Sequence, residues 1–286
     1  MFNLLRDLIR NVSRDHLIDR AAAIAYFQLF AIFPLLMAVV GTLFLFDLQA
    51  QLTAVTRLIN DAFPPSLARL LISELEHVAG VNRVGRIIVG LGVALYAEQR
   101  AMNATIRGVN TAWATAEDRG LVGRFMGLVL TLFVLAATAV AITALTVGGW
   151  ILVWVGDQAW LPESTVTLVM VLRWPVILFL AHAVINLLYR LGANTPLRMA
   201  WSTWGSLFAT AAWVVVSLGF QVYLERIVDL GATYGSLGTA IGLLLYFYLL
   251  GFLVLLGAEM DALNHRRRRH SASSGSANSP AGPPPA

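Results

Sequence analysis

The 286-residue chain contains no cysteine and no lysine, and only 13% of its residues are charged. The absence of cysteine excludes disulfides, thiol catalysis and thiolate metal sites, and the absence of lysine excludes Schiff-base chemistry. Soluble domains usually carry about 25% charged residues. This chain is instead 58% hydrophobic, which is too apolar for the surface of a water-facing globule. The composition therefore predicts an integral membrane protein.

Six stretches are long enough to cross the hydrocarbon core of a membrane, which takes about 20 helical residues. They are residues 21–46, 85–108, 122–155, 164–190, 197–224 and 235–262. They predict an all-α integral membrane protein with six transmembrane helices in one membrane domain, residues 21–263.

Two short amphipathic helices are predicted outside the spans, at residues 1–18 and 66–79. Segment 1–20 either lies on the membrane surface or packs on the protein's own cytoplasmic face, because Phe2, Leu5 and Ile9 recur at helical spacing. The C-terminal segment 264–286 is basic and rich in Ser, Gly and Pro. Its composition predicts a disordered tail.

Arginines in the loops orient the predicted bundle. Loops after the second and fourth spans and the C-terminal segment carry arginine, whereas loop 156–163 has no basic residue. The positive-inside rule places both termini in the cytoplasm, which fits an even number of spans. The exception is loop 47–83, whose three arginines lie on the predicted outer side.

A polar stripe follows the apolar run of the second span. Arg100, Asn103, Arg107 and Asn110 share one face of a helix. A charged side chain deep in lipid costs from about 3 to more than 10 kcal/mol, so we expect this face to line the bundle interior or a water-filled cavity. For Arg107 and Asn110 the alternative is snorkelling to headgroups. Glu98 falls nearly opposite Arg100 and needs a partner of its own.

The fourth span has a second polar face, formed by His182 and Asn186, with Arg173 deeper in the span. Arg173 stays protonated, so it needs either a carboxylate such as Glu98 or an anionic ligand. His182 alone is interpreted as a buried hydrogen-bond partner rather than a proton relay. The candidate polar cavity and anion contact thus comprises Arg100, Asn103, Arg107, Arg173, His182 and Asn186.

The sixth span begins with closely spaced glycines and ends before a run of arginines. Gly235, Gly238 and Gly242 predict close helix packing, or alternatively an unwound helix end that contacts substrate. The run Arg266, Arg267, Arg268 and Arg269 predicts an anchor that is attracted to anionic lipid.

Four stretches resemble the YihY/virulence factor BrkB family. They are AAAIAYFQLFAIFPLL in the first span, RGVNTAW after the second, LRWPVILFLAHAVINLLYR in the fourth and, most specific, YGSLGTAIGLLLYFYLLGFLVLLGAEMDA in the sixth. The resemblance covers most of residues 20–263 and implies a bacterial inner-membrane protein with six helices. It also implies roles in envelope integrity or in lipid or solute export. In this chain Asp261 stands where the family frequently has asparagine.

The sequence features bear on three classes of function. A nuclease is disfavoured because the five histidines are scattered and no metal-ligand motif occurs. A transporter of an anionic lipid or solute is favoured; it would not be driven by its own ATP site, because no P-loop is present. A membrane scaffold without transport is the alternative. We expect no metal, no cofactor and no specific nucleic acid; the expected partners are membrane lipids, in particular anionic ones.

Overall fold

The computed structural model describes residues 2–45, 83–115, 120–157, 163–195, 202–226 and 230–277, with isolated positions between 56 and 73. This part of the chain folds into seven α-helices and a π-helical turn, and contains no strand. The all-helical architecture is therefore confirmed for these residues. The helix predicted over 66–79 lies almost wholly outside them.

The helices follow one another with short connections where the chain is described. Helix α1 spans Phe2–Arg14, α2 Leu17–Leu45, α3 Arg83–Ala112, α4 Gly120–Asp157, α5 Glu163–Leu187, α6 Trp204–Arg226 and α7 Leu230–Ala277; a π-helical turn, Leu188–Gly192, continues α5. The tight corner between α1 and α2 places His16 at a left-handed φ of 51°.

Within the described residues, four helices contain stretches long and apolar enough to cross a membrane. These stretches are Gly120–Thr138, Val171–Gly192, Trp204–Tyr223 and Ala240–Arg268. Each overlaps a predicted span, in agreement with a membrane protein. The first two predicted spans fall on α2 and α3, which are 29 and 30 residues long. The count of six spans and the side of the termini stay predictions.

Large apolar side chains cover the outside of the bundle. Leu121, Phe125, Phe179 and Val215 are 80, 66, 70 and 68% exposed. An apolar surface this extensive is unfavourable in water and marks a region that another apolar phase covers. The hydrocarbon of a bilayer meets that requirement.

Helix α7 lies at the centre of the bundle, in contact with α1, α2, α3 and α6. Its Leu255 is fully buried, together with Leu17 of α2, Val109 of α3 and Tyr189 of the π-helical turn. The apolar core therefore sits where these four elements meet.

Helix α1 packs on the protein itself. Val12 contacts the apolar core, Asn11 and Asp15 are buried, and Ile9 on the other face is 65% exposed. Of the two positions considered for this amphipathic helix, the structure shows packing against α7. The exposed Ile9 leaves part of the apolar face uncovered.

The prediction of disorder from residue 264 onward is wrong for residues 264–277, which continue α7 without a break. Two polar contacts hold the start of this extension. Arg266 Nη2 donates to the carbonyl oxygen of Ala112 at 2.5 Å, and Arg267 Nη2 lies 2.7 Å from Asp7 Oδ2. Composition alone did not reveal these contacts with α3 and α1. Residues 278–286 lie outside the described part.

Candidate functional site

A partly open cavity of about 480 Å³ lies inside the bundle. Helices α2 to α7 all contribute to its wall, for example through Ile24, Met102, Val134, Val184, Ala209 and Leu253. The wall is overwhelmingly apolar. A cavity of this size and character is typical of a small-molecule site, since ligand pockets measure roughly 300–1,000 Å³.

Few polar side chains reach the cavity. Among the described residues, Glu98 is the only ionisable one that lines it, accompanied by Gln28, Thr105 and Thr138. The Thr105 hydroxyl donates to the carbonyl oxygen of Ala101 at 2.9 Å, which leaves its oxygen lone pairs available as acceptors. The site therefore offers one carboxylate and a few neutral oxygens in an apolar space.

The periodicity of α3 places Glu98 in the wall. Glu98, Met102 and Thr105 stand at i, i+4 and i+7, so they share the helix face that meets the cavity. Helix α3 lies along α2 over much of its length, and this packing fixes its rotation. Glu98 is half-buried, and no side chain in the described part of the bundle pairs with it.

The arginines of the predicted stripe lie on another side of α3. Arg100 is exposed; its Nη2 donates to Tyr96 Oη at 2.7 Å, and its guanidinium carbon lies 5.0 Å from that ring. Arg107 is exposed, and Asn103 is half-buried against Gly127 of α4. None of the three lines the cavity. Their assignment as anion contacts stays a prediction.

Arg173 of α5 also lies outside the cavity wall. Its guanidinium carbon is 5.4 Å from the ring of Trp174, which permits a cation–π interaction. Its Nε is buried without a hydrogen-bond partner in the described residues. The structure does not bring Arg173 together with Glu98 as an ion pair.

The side chain of His182 in α5 contacts α6 and the segment just before α6. Its Nδ1 lies 3.2 Å from Thr210 Oγ1, and its Nε2 lies 3.2 Å from Ser202 Oγ. Asn186, one turn further on, is buried, and its Oδ1 has no partner among the described residues. Within the same part of the chain, no three His, Asp or Glu side chains are grouped as metal ligands.

Two hydrogen bonds between a buried polar side chain and the backbone of a distant segment were not predicted from the sequence. Asn110 Oδ1 accepts a hydrogen bond of 2.6 Å from the backbone N–H of Asn194, which ties the end of α3 to the segment after α5. Asp261 Oδ1 accepts one of 2.7 Å from the N–H of Gly205 in α6. The sequence shows that both polar residues lie within largely apolar segments, but its periodicity does not identify their partners.

The predicted packing glycines are only partly described. Gly238 and Gly242 are buried in α7, and the surroundings of Gly235 lie outside the description. Among the described glycines, the closest approach between helices involves Gly205 of α6 and Gly257 of α7. A Cβ at position 257 would lie 2.6 Å from the carbonyl oxygen of Gly205.

A second polar cluster joins α1 to α7. Asn11 Nδ2 donates to Glu259 Oε1 at 2.5 Å, and Glu259 is fully buried. Arg14 makes two hydrogen bonds to the Asp15 carboxylate, which raise the pKa of the Arg14 guanidinium.

Of the predicted lipid anchors, Arg266 and Arg267 contact protein groups, Arg268 is exposed, and the side chain of Arg269 is outside the described part.

Comparison with known proteins identifies the family. The model of the Virulence factor BrkB family matches residues 8–281, nearly the whole chain. The chain belongs to this family. No solved structure matches it at a significant level.

Relatives of this BrkB-family protein differ in length. The ribonuclease-like protein YfkH of Bacillus subtilis (strain 168) is 29% identical over 272 residues, covering 93% of this chain and 97% of YfkH. A UPF0761 membrane protein of Xanthomonas oryzae pv. oryzae (strain PXO99A) is 30% identical over 260 residues, or 89% of this chain. A UPF0761 membrane protein of Xanthomonas axonopodis pv. citri (strain 306) shows the same identity and coverage. The match spans only 59% of the length of these Xanthomonas relatives.

Proposed function

We propose that this BrkB-family protein is a transporter or exporter of the bacterial inner membrane whose cavity accepts the apolar chain of a lipid or similar amphiphile. The observation that carries the proposal is the 480 Å³ apolar cavity formed by six helices. Such a space supports binding without directional hydrogen bonds, which is what an alkyl chain requires.

An empty cavity of this volume would be unfavourable. Apolar side chains of its wall would lack contacts with other apolar atoms wherever the cavity is not filled. An apolar occupant offsets that loss. The cavity is partly open, so an alkyl chain can enter without complete rearrangement of the bundle.

Because the arginines do not line the cavity, the cavity supports a proposal for the apolar part of the ligand and not for an anionic headgroup. The sequence predicted an anionic lipid or solute held by Arg100, Asn103, Arg107 and Arg173, whereas the cavity wall contains none of these side chains. The geometry therefore supports the apolar chain of the ligand. An anionic headgroup at the arginines remains a separate proposal, and transport would be passive, ion-coupled or driven by a partner.

Substitution of two neighbouring alanines tests the proposal. Ala137 lines the cavity and Ala136 is exposed on the same helix. We expect Ala137→Phe to slow the transbilayer movement of a fluorescent NBD-phospholipid in proteoliposomes, measured by dithionite quenching, because the new ring occupies the cavity. Ala136→Phe should behave like the unaltered protein. No movement above protein-free vesicles, together with no binding of an alkyl chain, would favour a scaffold instead.

A further inference from the structure

Glu98 has no evident charge partner. It lines an apolar cavity, and neither a salt bridge nor a hydrogen bond satisfies its carboxylate among the described residues. An ionised carboxylate in such surroundings is strongly unfavourable unless it is paired. The missing partner is therefore a cation or a proton supplied from outside the described bundle.

Three basic side chains of α3 and α5 contact groups other than Glu98. Arg100 on the same helix bonds Tyr96, Arg173 of α5 lies over Trp174, and His182 of α5 bonds Thr210 and Ser202. None of these three basic side chains lines the cavity. Among the described residues, the Glu98 carboxylate is thus left to a proton or to a cationic ligand.

We propose that the cavity binds an amphiphile with a single cationic nitrogen, whose alkyl chain lies along the apolar wall and whose nitrogen pairs with Glu98. This inference rests on the proposed function, since it names the class of headgroup for the same cavity. Ammonium groups are matched by a carboxylate and neutral oxygens, and Gln28, Thr105 and Thr138 supply such oxygens in the wall. An anionic headgroup would be repelled from the same position.

Three compounds with one chain length and different headgroups provide the test. Dodecylammonium, dodecanol and dodecylsulfonate are cationic, neutral and anionic at pH 7, respectively, and the ammonium group carries the N–H donors that a carboxylate and neutral oxygens accept. Binding of each labelled compound is measured by equilibrium dialysis with the full-length protein in phosphatidylcholine nanodiscs, after subtraction of binding to empty nanodiscs. We expect the ammonium compound to bind about tenfold or more tightly than dodecanol, as for other charge-assisted contacts.

Glu98→Gln should abolish this preference, whereas dodecanol should still bind, because its alkyl chain contacts the same apolar wall and its hydroxyl can donate to the amide oxygen. The matched control is Asp19→Asn, which removes a carboxylate that is 79% exposed and does not line the cavity; it should retain the preference. If glutamine disturbs the fold and dodecanol binding is lost, Glu98→Leu, which suits the apolar wall, takes its place.

The outcomes separate the inference from the proposed function. Equal binding of the three compounds by the unaltered protein, tightest binding of dodecylsulfonate, or an ammonium preference that survives the loss of Glu98 would overturn the cationic headgroup and leave the apolar cavity intact. Failure of dodecanol to bind, or dodecanol binding unaffected by Ala137→Phe, would overturn the chain-binding cavity itself.

Discussion

The carboxylate of Asp261 in α7 accepts a hydrogen bond from the backbone N–H of Gly205 at 2.7 Å, in the first turn of α6. The first N–H groups of a helix lack partners within that helix, and here one is satisfied by a side chain 56 residues away. A negative group at this position is also favoured by the helix dipole. Since Asp261 is buried, the bond fixes the N-terminal end of α6 against α7 inside the bundle.

Replacement of Asp261 by alanine is expected to lower the free energy of unfolding by about 1–3 kcal/mol, because it leaves a buried N–H group without a partner. Asp261→Asn retains an acceptor oxygen and should keep most of the stability. Denaturant titration in detergent micelles measures both variants. Equal destabilisation by alanine and asparagine would show that the hydrogen bond is not the source of the effect.

The contact between α6 and α7 depends on the absence of a side chain at Gly257. A Cβ there would lie 2.5 Å from Tyr189 Oη and 2.6 Å from the carbonyl oxygen of Gly205, so Gly257→Ala should force the helices apart and destabilise the protein by about 1–3 kcal/mol. Gly219 of α6 is the control, since a Cβ there meets no atom within 4 Å. Gly219→Ala should raise stability by up to about 1 kcal/mol through helix propensity. A similar melting temperature for the two variants would contradict the close approach.

The attachment of α1 is expected to depend on Asn11. Asn11→Ala removes the donor to Glu259 Oε1, while Oε2 already lacks a partner in the described residues. We expect a loss of about 1–3 kcal/mol and faster hydrogen exchange across residues 2–14. Addition of Glu259→Gln should restore part of the loss, because a neutral buried amide is less unfavourable than a carboxylate. Ser13→Ala, at an exposed position of α1, should change neither quantity.

The helical periodicity of α3 was predictable from the sequence, but its rotation in the bundle was not. Spacing alone places Glu98 and Arg100 on nearly opposite faces. The high free-energy cost of an arginine in lipid suggested that the Arg100 face points inward. In the structure Glu98 lines the cavity instead, and Arg100 bonds Tyr96 on the exposed side of the helix. The rotation is set by packing against α2 and the other helices, which sequence periodicity does not report.

The hydrogen-bond partners of buried polar residues also could not be predicted from the sequence. Residues such as Asn110 and Asp261 were identifiable as polar groups in apolar surroundings, yet their partners lie 84 and 56 residues away. Composition also misassigned the start of the C-terminal segment, because the contacts of Arg266 and Arg267 with other helices outweigh its local sequence. Hydrophobicity and length, by contrast, suffice for the helices themselves, since a spanning segment must satisfy its backbone hydrogen bonds internally.

Chemical labelling tests the predicted topology, and the absence of cysteine makes single-cysteine variants free of background. Gly156 lies at the end of α4 and Gly231 at the start of α7. Cysteines at these positions should react with a membrane-impermeant maleimide added to intact cells, because the adjoining connections have few arginines and are predicted to face outward. A cysteine at Ser271 should react only after permeabilisation. Labelling of Ser271→Cys in intact cells would place the C-terminus outside and reverse the orientation.

Arg173 and Glu98 are expected to contribute independently to stability. If they formed a buried ion pair, removal of either partner would strand a charge and cost about 3–5 kcal/mol, and the double substitution would restore most of that loss. The structure instead shows Arg173 over Trp174, with Glu98 in the cavity wall. Arg173→Gln should therefore cost only about 0.5–2 kcal/mol through the lost cation–π contact, and its effect should add to that of Glu98→Gln within about 0.5 kcal/mol. Unfolding of the unaltered protein, both single variants and the double variant in the same detergent measures the coupling. A double variant more stable by several kcal/mol than the sum of the two single effects predicts would mean that Arg173 neutralises Glu98, and the carboxylate would then be unavailable to a cationic ligand.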